Sequence, residues 1–181
     1  MVNETHETEL SRPIKVKALP ADPVVIEADA GERAGLAERF GLPGIDRLRA
    51  VVDIAPSGPG FRATGTLEAA IRQTCAISGE DFPARIVEDI DLRFVREQAN
   101  AGVVNEDGEI EIDLDLNDSD EIEFSGDSFD LGEATAQTLG LAIDPYAEGP
   151  NAENAREKAG IVGEGEQQGP LAEALKGLKS G

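Results

Sequence analysis

Tryptophan is absent from this chain of 181 residues, and its other aromatics are one Tyr and six Phe. A core built from it must rest on Ile, Leu, Val and Ala with a few Phe. Cys75 is the only cysteine, which excludes an intramolecular disulfide and a Cys-rich zinc site. A lone thiol fits a reducing compartment. The one histidine, His6, lies in a polar leader, so a Ser-His-Asp or Cys-His arrangement would have to draw on that position. There is no Gly-rich phosphate loop and no HExxH pattern. No apolar run approaches the roughly 20 residues that span a bilayer. "MVNETHETEL" is too polar and acidic for a signal peptide. These absences point to a soluble cytoplasmic protein, not an enzyme, with no cofactor, no small-molecule substrate and no membrane partner.

Positive charge is scarce as well. Sixteen Lys and Arg face 37 Asp and Glu, for a net charge of −21. The deficit is uneven. Residues 1–96 hold 12 basic and 16 acidic residues, a balance of −4; residues 97–181 hold 4 and 21, a balance of −17. No Lys or Arg occurs between Arg96 and Arg156. Such a chain repels a bare phosphate backbone and attracts a basic partner. Its two halves offer partners different surfaces.

The pattern of what is present reads as α+β. "RPIKVKAL" (12–19) suits an edge strand with Pro13 near its start, and "PVVIEAD" (23–29) a second strand. Asp29 is placed to cap a helix over 30–40, with Glu32 near its positive end and Gly41 closing it. Two long strands follow, about 45–55 and 60–75, joined by "PSGPG". Their period of two sends Leu48, Ala50, Val52, Leu67, Ala69 and Ile71 inward and Arg49, Asp53, Arg62, Thr64, Thr66, Glu68 and Arg72 outward. After a turn at "SGEDFP", "ARIVEDIDLRFV" (84–95) is a strand whose apolar face is interrupted by Glu88; a bulge or an edge position would accommodate it. Asp130 and Glu133 mark the start of a second helix, about 131–143, closed by Pro145. Leu131, Ala134, Thr138, Leu139 and Ala142 outline its apolar side. The expected organisation is a disordered leader (1–11), one α+β domain (12–147) and a flexible acidic tail (148–181). A short amphipathic stretch at 170–179 carries Leu171, Leu175 and Leu178 on one stripe. The domain itself is expected to be a mostly antiparallel sheet of about six or seven strands, with room to curl into a partial barrel, and two main helices.

The segment "EIEIDLDLNDSDEIEF" (109–124) has the cleanest strand signal. Ile110, Ile112, Leu114 and Leu116 alternate with Glu109, Glu111, Asp113 and Asp115, and aligned carboxylates protect such an edge from pairing with its own copies. Read instead as a calcium loop starting at Asp113, it fails at two demanding places: Asp118 stands where Gly is needed and Phe124 where a bidentate Glu is needed. No metal is expected there. The four carboxylates are the candidate docking surface for a basic partner. Arg49, Arg62, Arg72 and Arg93 on the sheet are the candidate RNA-facing residues, although stacking aromatics are missing around them. Cys75 closes a strand with no base nearby to lower its pKa, and reads as a small buried residue.

Two stretches go further. In "IRQTCAISGEDFPARIVEDIDLRF" (71–94) a strand ends in Cys75, and after a turn the next ends in "LRF". In "DEIEFSGDSFDLGEATAQTLGLAIDPY" (120–146) an acidic strand is followed by "DLGE", a helix and Pro-Tyr. Together these resemble the YceD-like family, the large ribosomal RNA subunit accumulation proteins, over most of residues 45 to 146. The motif positions are Cys75, Ser78, Asp130, Leu131, Glu133, Pro145 and Tyr146. Many members carry a second cysteine three residues after the first; here Ser78 stands in that place, so no metal role carries over. The resemblance implies a non-catalytic factor supporting accumulation of large-subunit (23S) ribosomal RNA, in the bacterial cytoplasm or an organelle. It also implies a basic ribosomal or ribosome-assembly protein as partner. The alternative is direct RNA binding in rRNA processing through the arginine-bearing sheet face.

Overall fold

A computed structural model of the chain describes residues 8–97 and 120–160. Strands β1 (Pro13–Lys15) and β2 (Val24–Glu27) precede helix α1 (Ala30–Phe40); three long strands follow, β3 (Gly44–Ser57), β4 (Gly60–Thr74) and β5 (Asp81–Arg96). Then come β6 (Asp120–Phe124), β7 (Ser128–Asp130), α2 (Leu131–Ala142) and α3 (Ala152–Ala159). The five strands β2-β3-β4-β5-β6 form one sheet in that order, and β1 pairs with β7 in a second, two-stranded sheet.

The local chemistry explains the boundaries. Asp29 accepts a hydrogen bond from the Glu32 amide while the Glu32 carboxylate accepts one from the Asp29 amide, closing a reciprocal cap on α1. Gly41 ends the helix at φ 64°, a conformation that costs a residue with a side chain more than glycine. The alternation expected in β3 and β4 holds: Leu48, Ala50, Val52, Ala63, Leu67, Ala69 and Ile71 are buried, and they pack with Leu36 of α1 and with Leu131, Ala134, Ala136 and Leu139 of α2. Four of the six Phe converge. Phe129 of β7 stacks on Phe94 at 4.1 Å between centroids and lies 5.7 and 5.6 Å from Phe61 and Phe124. These aromatics supply the bulk that the aliphatics alone would lack.

The structure departs from the expectation in several places. The main sheet is mixed, not mostly antiparallel. β2–β3 and β3–β4 are antiparallel, but β6 runs parallel to β5, with Leu92 opposite Asp120 and Arg96 opposite Phe124. Parallel pairing needs a crossover connection, and residues 97–119 provide the length, which a reading of alternation alone does not reveal. Among the described strands the sheet stays open, so there is no closed barrel. Residues 8–11 are not a disordered leader: Leu10 is 0 % exposed in the core, and Arg12 donates to both carboxylate oxygens of Glu32. A third helix, α3, occupies part of the expected tail.

The chain divides into two compact units, residues 1–73 with 83–144, and residues 74–82 with 145–181. The first holds the sheet core, α1 and α2. In the second, the turn after β4 is tied by Cys75 N–H to the Glu80 carbonyl and by Ala76 N–H to the Ala147 carbonyl, and Asn151 donates to Glu80 at 2.7 Å.

The motif "DLGE" has a structural account. Asp130 caps α2, accepting from the amides of Gly132 and Glu133 and also from the Arg12 amide and the Ser11 hydroxyl. Burial works to raise its pKa, but these four donors outweigh burial and hold the carboxyl below its ordinary value. Glu133 is gripped by both terminal nitrogens of Arg39 at 2.9 and 2.8 Å. Asp130→Ala should therefore cost about 1–2 kcal/mol, the usual loss for a helix cap, in a urea melt. The sign of its pH dependence follows. A carboxyl with a lowered folded-state pKa contributes stability above its unfolded value, and this is lost as pH falls through about 4 and below. Asp130→Asn should show a shallower acid loss than the native chain; equal slopes would contradict the capping account.

Candidate partner-binding groove

The sheet face turned away from the helices carries the arginines expected to meet RNA, and the structure places them beside carboxylates. Arg62 Nε and Nη2 donate to Asp91 at 2.7 and 2.6 Å. Arg93 lies 3.0 Å from Glu121, and Arg72 lies 3.4 Å from Asp46. Arg49 sits opposite Glu27 on one side and Glu68 on the other, and Arg85 reaches Glu68 at 3.2 Å. Glu27, Arg49, Glu68 and Arg85 thus make a row of alternating sign across four strands. The pairs Arg62–Asp91 and Arg85–Glu68 also run in opposite order along β4 and β5, as an antiparallel hairpin requires. This face is close to balanced in charge. Each exposed pair contributes little to stability, but the row leaves few free cations for a phosphate backbone.

The opposite situation holds at the other edge of the same unit. A groove of about 480 Å³ runs between β5, β6 and α2. Its base is apolar: Leu92 of β5, Ile122 of β6, and Ala134, Leu141 and Ala142 of α2. Its polar lining is Glu88, Asp89, Asp91, Gln137 and Thr138. Glu88 breaks the apolar alternation of β5, and the reason is now visible. β6 pairs with β5 only from Leu92 onward, so at position 88 the inner face of the strand opens into this groove and the carboxylate is exposed. Leu141, on the last turn of α2, is 83 % exposed.

The three carboxylates differ. Asp91 is engaged by Arg62, whose hydrogen bond lowers its pKa. The carboxylates of Glu88 and Asp89 have no ion-pair partner among the described residues. No group of three or more His, Cys, Asp or Glu side chains able to hold a metal ion occurs among the described residues. The groove offers shape, apolar area and negative charge, which suit recognition.

Glu109, Glu111, Asp113 and Asp115 fall outside the described residues. The motif positions divide between the units. Asp130, Leu131 and Glu133 form the N-terminal turn of α2; Pro145 and Tyr146 are exposed beyond it. Cys75 and Ser78 share the turn of the second unit. There the Ser78 amide donates to Cys75 Sγ at 3.3 Å. The Ser78 side chain, then the amides of Ser78, Gly149 and Ile77, lower the thiol pKa to about 7 against the opposing effect of burial. The sequence gives no sign of this lowering, because it comes from hydrogen-bond donors of the turn and not from a base. With Cys75 2 % exposed, a thiol reagent at pH 7 should modify the native chain far more slowly than the chain in urea. Equal rates would show that the turn is open in solution.

Glu88 has a signal in sequence as a charge out of phase, and Ala134, Thr138 and Ala142 have one as part of the apolar side of α2. Asp89 and Leu141 had none, because their exposure depends on where β6 begins and α2 ends. Comparison of the chain with protein-family models, curated proteins and solved structures found no match. Among the described residues no helix is long and apolar enough to cross a membrane.

Proposed function

We propose that this protein is a non-catalytic ribosome-assembly factor that holds a basic ribosomal or assembly protein and thereby supports accumulation of large-subunit ribosomal RNA. The observation that carries the first half of this reading is the contrast between the two surfaces. Arg62, Arg72 and Arg93 are matched by carboxylates across the sheet, whereas the groove presents Glu88 and Asp89, without an ion-pair partner among the described residues, beside the exposed Leu141. In a chain of net charge −21, the field favours a cationic protein over a polyanion. The second half, the ribosomal setting, rests on the resemblance of residues 71–94 and 120–146 to the YceD-like family.

An acidic holder is useful to a basic ribosomal protein before it meets RNA. It screens the cations that would otherwise bind any nucleic acid, and it yields to rRNA, whose charge density is higher. The test is made in cells lacking the protein. They should accumulate less 23S relative to 16S rRNA, and the native gene should restore the ratio. An unchanged ratio would remove the ribosomal part of the proposal. Loss of 23S rRNA that is fully restored by a chain carrying Lys at both 88 and 89 and Asn or Gln at 109, 111, 113 and 115 would remove the electrostatic part.

A further inference from the structure

The groove between α2 and the β5–β6 pair is apolar at its base, acidic at its rim and uncovered by any described segment. Charge narrows its occupant. A second copy of the chain brings another −21 charges. Residues 98–119 carry seven carboxylates and no Lys or Arg, and would meet Glu88 and Asp89 with like charge. An incoming cationic segment meets them with the opposite sign. The wall of the groove adds a constraint on shape. Ala134, Gln137, Thr138 and Leu141 lie at i, i+3, i+4 and i+7 on α2, the spacing by which one helix face packs against another. Ala134 and Thr138 on this wall are small, which permits close approach.

We infer that this groove is the docking site of a cationic amphipathic helix belonging to a protein partner. The inference rests on the reading of the protein as a holder of a basic protein, and adds the place and the recognition chemistry. The apolar stripe of the partner helix covers Leu141, Leu92 and Ile122. Its Lys or Arg side chains flank that stripe and reach Glu88 and Asp89, which have no ion-pair partner to give up among the described residues. Asp91 contributes less, because Arg62 already holds it in a two-pronged hydrogen bond. Apolar contact supplies retention, and the rim charges supply orientation and association rate.

The probe is a labelled synthetic peptide of about 14 residues, enough for a few helical turns, with Leu at i, i+3, i+4 and i+7 and Lys elsewhere. Its binding to the full chain is followed by fluorescence anisotropy at low salt. The native chain should bind it, and the same peptide with Glu in place of Lys should not bind. Glu88→Lys with Asp89→Lys should weaken binding by about tenfold or more, and rising salt should shrink that difference. Leu141→Ser should weaken it in a manner independent of salt. All three positions are exposed, so the melting temperatures should not move. Affinity equal to native in the 88/89 variant overturns the inference. If affinity is lost instead when Glu109, Glu111, Asp113 and Asp115 are neutralised, the groove is excluded while the reading of a basic-protein holder stands. If the native chain retains neither the peptide nor any purified basic ribosomal protein, that reading falls too. A chain lacking residues 161–181 supplies the last arm, since that segment combines Leu171, Leu175 and Leu178 with Lys176 and Lys179. Unchanged affinity assigns the groove to a partner; tenfold tighter binding assigns it to this chain's own tail and overturns the partner assignment.

Discussion

Phe129→Ala should destabilise the chain by about 3–5 kcal/mol, the usual loss for a large buried aromatic, and should be the most damaging single truncation in the aromatic cluster. Phe129 is 3 % exposed and makes ring contacts with three other phenylalanines, Phe61, Phe94 and Phe124. It sits on β7, which pairs with β1, while Phe94 and Phe61 belong to the five-stranded sheet. Removing it opens a cavity in the layer that holds the small sheet to the large one. In a core without Trp, no larger neighbour is present to close over the gap. Phe40, half-buried at the end of α1, is the control: its truncation should cost clearly less in the same urea titration. Comparable losses would mean that the aromatic cluster is not the mechanical centre of the fold.

The second large effect concerns a glycine of normal backbone conformation. A Cβ at Gly132 would lie 2.5 Å from the Leu10 carbonyl oxygen and 2.8 Å from the Arg12 amide nitrogen. Both obstacles are backbone, so neither can turn aside. Gly132→Val should therefore push residues 10–12 off α2, cost about 1–3 kcal/mol for the overpacking, and add the loss of the Arg12 and Ser11 bonds to Asp130. Gly140 provides the contrast. A Cβ there meets only the ring of Phe40, at 2.9 Å, and a half-buried ring can shift; Gly140→Ala should be mild. Limited proteolysis near residue 12 should accelerate in the Gly132 variant and not in the Gly140 variant. If both behave like the native chain, the leader is not held as described.

Much of this fold is legible in the order of residues, for identifiable reasons. Helix α1 spans the residues expected from Asp29, Glu32 and Gly41, because caps act locally and need no tertiary context. The long hairpin β3–β4 follows from strict alternation around Pro and Gly. The parallel placement of β6 was not legible: "EIEF" has the same pattern whichever way its strand runs, and direction is set by the connection. Leu10 falls in the expected disordered leader because its neighbours in sequence are polar; it is buried in the core that includes Leu131 of α2, and Ser11 and Arg12 beside it donate to Asp130. Unexpected α3 has the same origin. Its sequence is rich in charge, with only Ala152 buried, so no apolar periodicity announces it.

The candidate site divides along similar lines. Charge imbalance, read from composition, sets the sign of the proposed partner. Where the partner meets the protein depends on which carboxylates lack internal cations, and this is a property of register. Asp91 and Asp89 look equivalent in "VEDIDLRF", yet Asp91 faces Arg62 across the hairpin and Asp89 faces no described cation. The arginines illustrate the converse. Arg49, Arg62, Arg72 and Arg93 suggest a cationic patch, until register sets carboxylates beside them.

The account's central claim is that the protein recognises a basic protein through its carboxylates, and not RNA through its arginines. The most direct test offers the full chain a choice. Purified large-subunit ribosomal proteins and 23S rRNA fragments are titrated separately against the same labelled chain at several salt concentrations. The account predicts binding to one or more basic proteins at low salt, weakened by Lys at 88 and 89 and insensitive to Ala at Arg49 and Arg62, with no measurable binding to the RNA. Binding to rRNA that falls steeply with salt, and is lost when Arg49 and Arg62 become Ala while Lys at 88 and 89 leaves it intact, would contradict it.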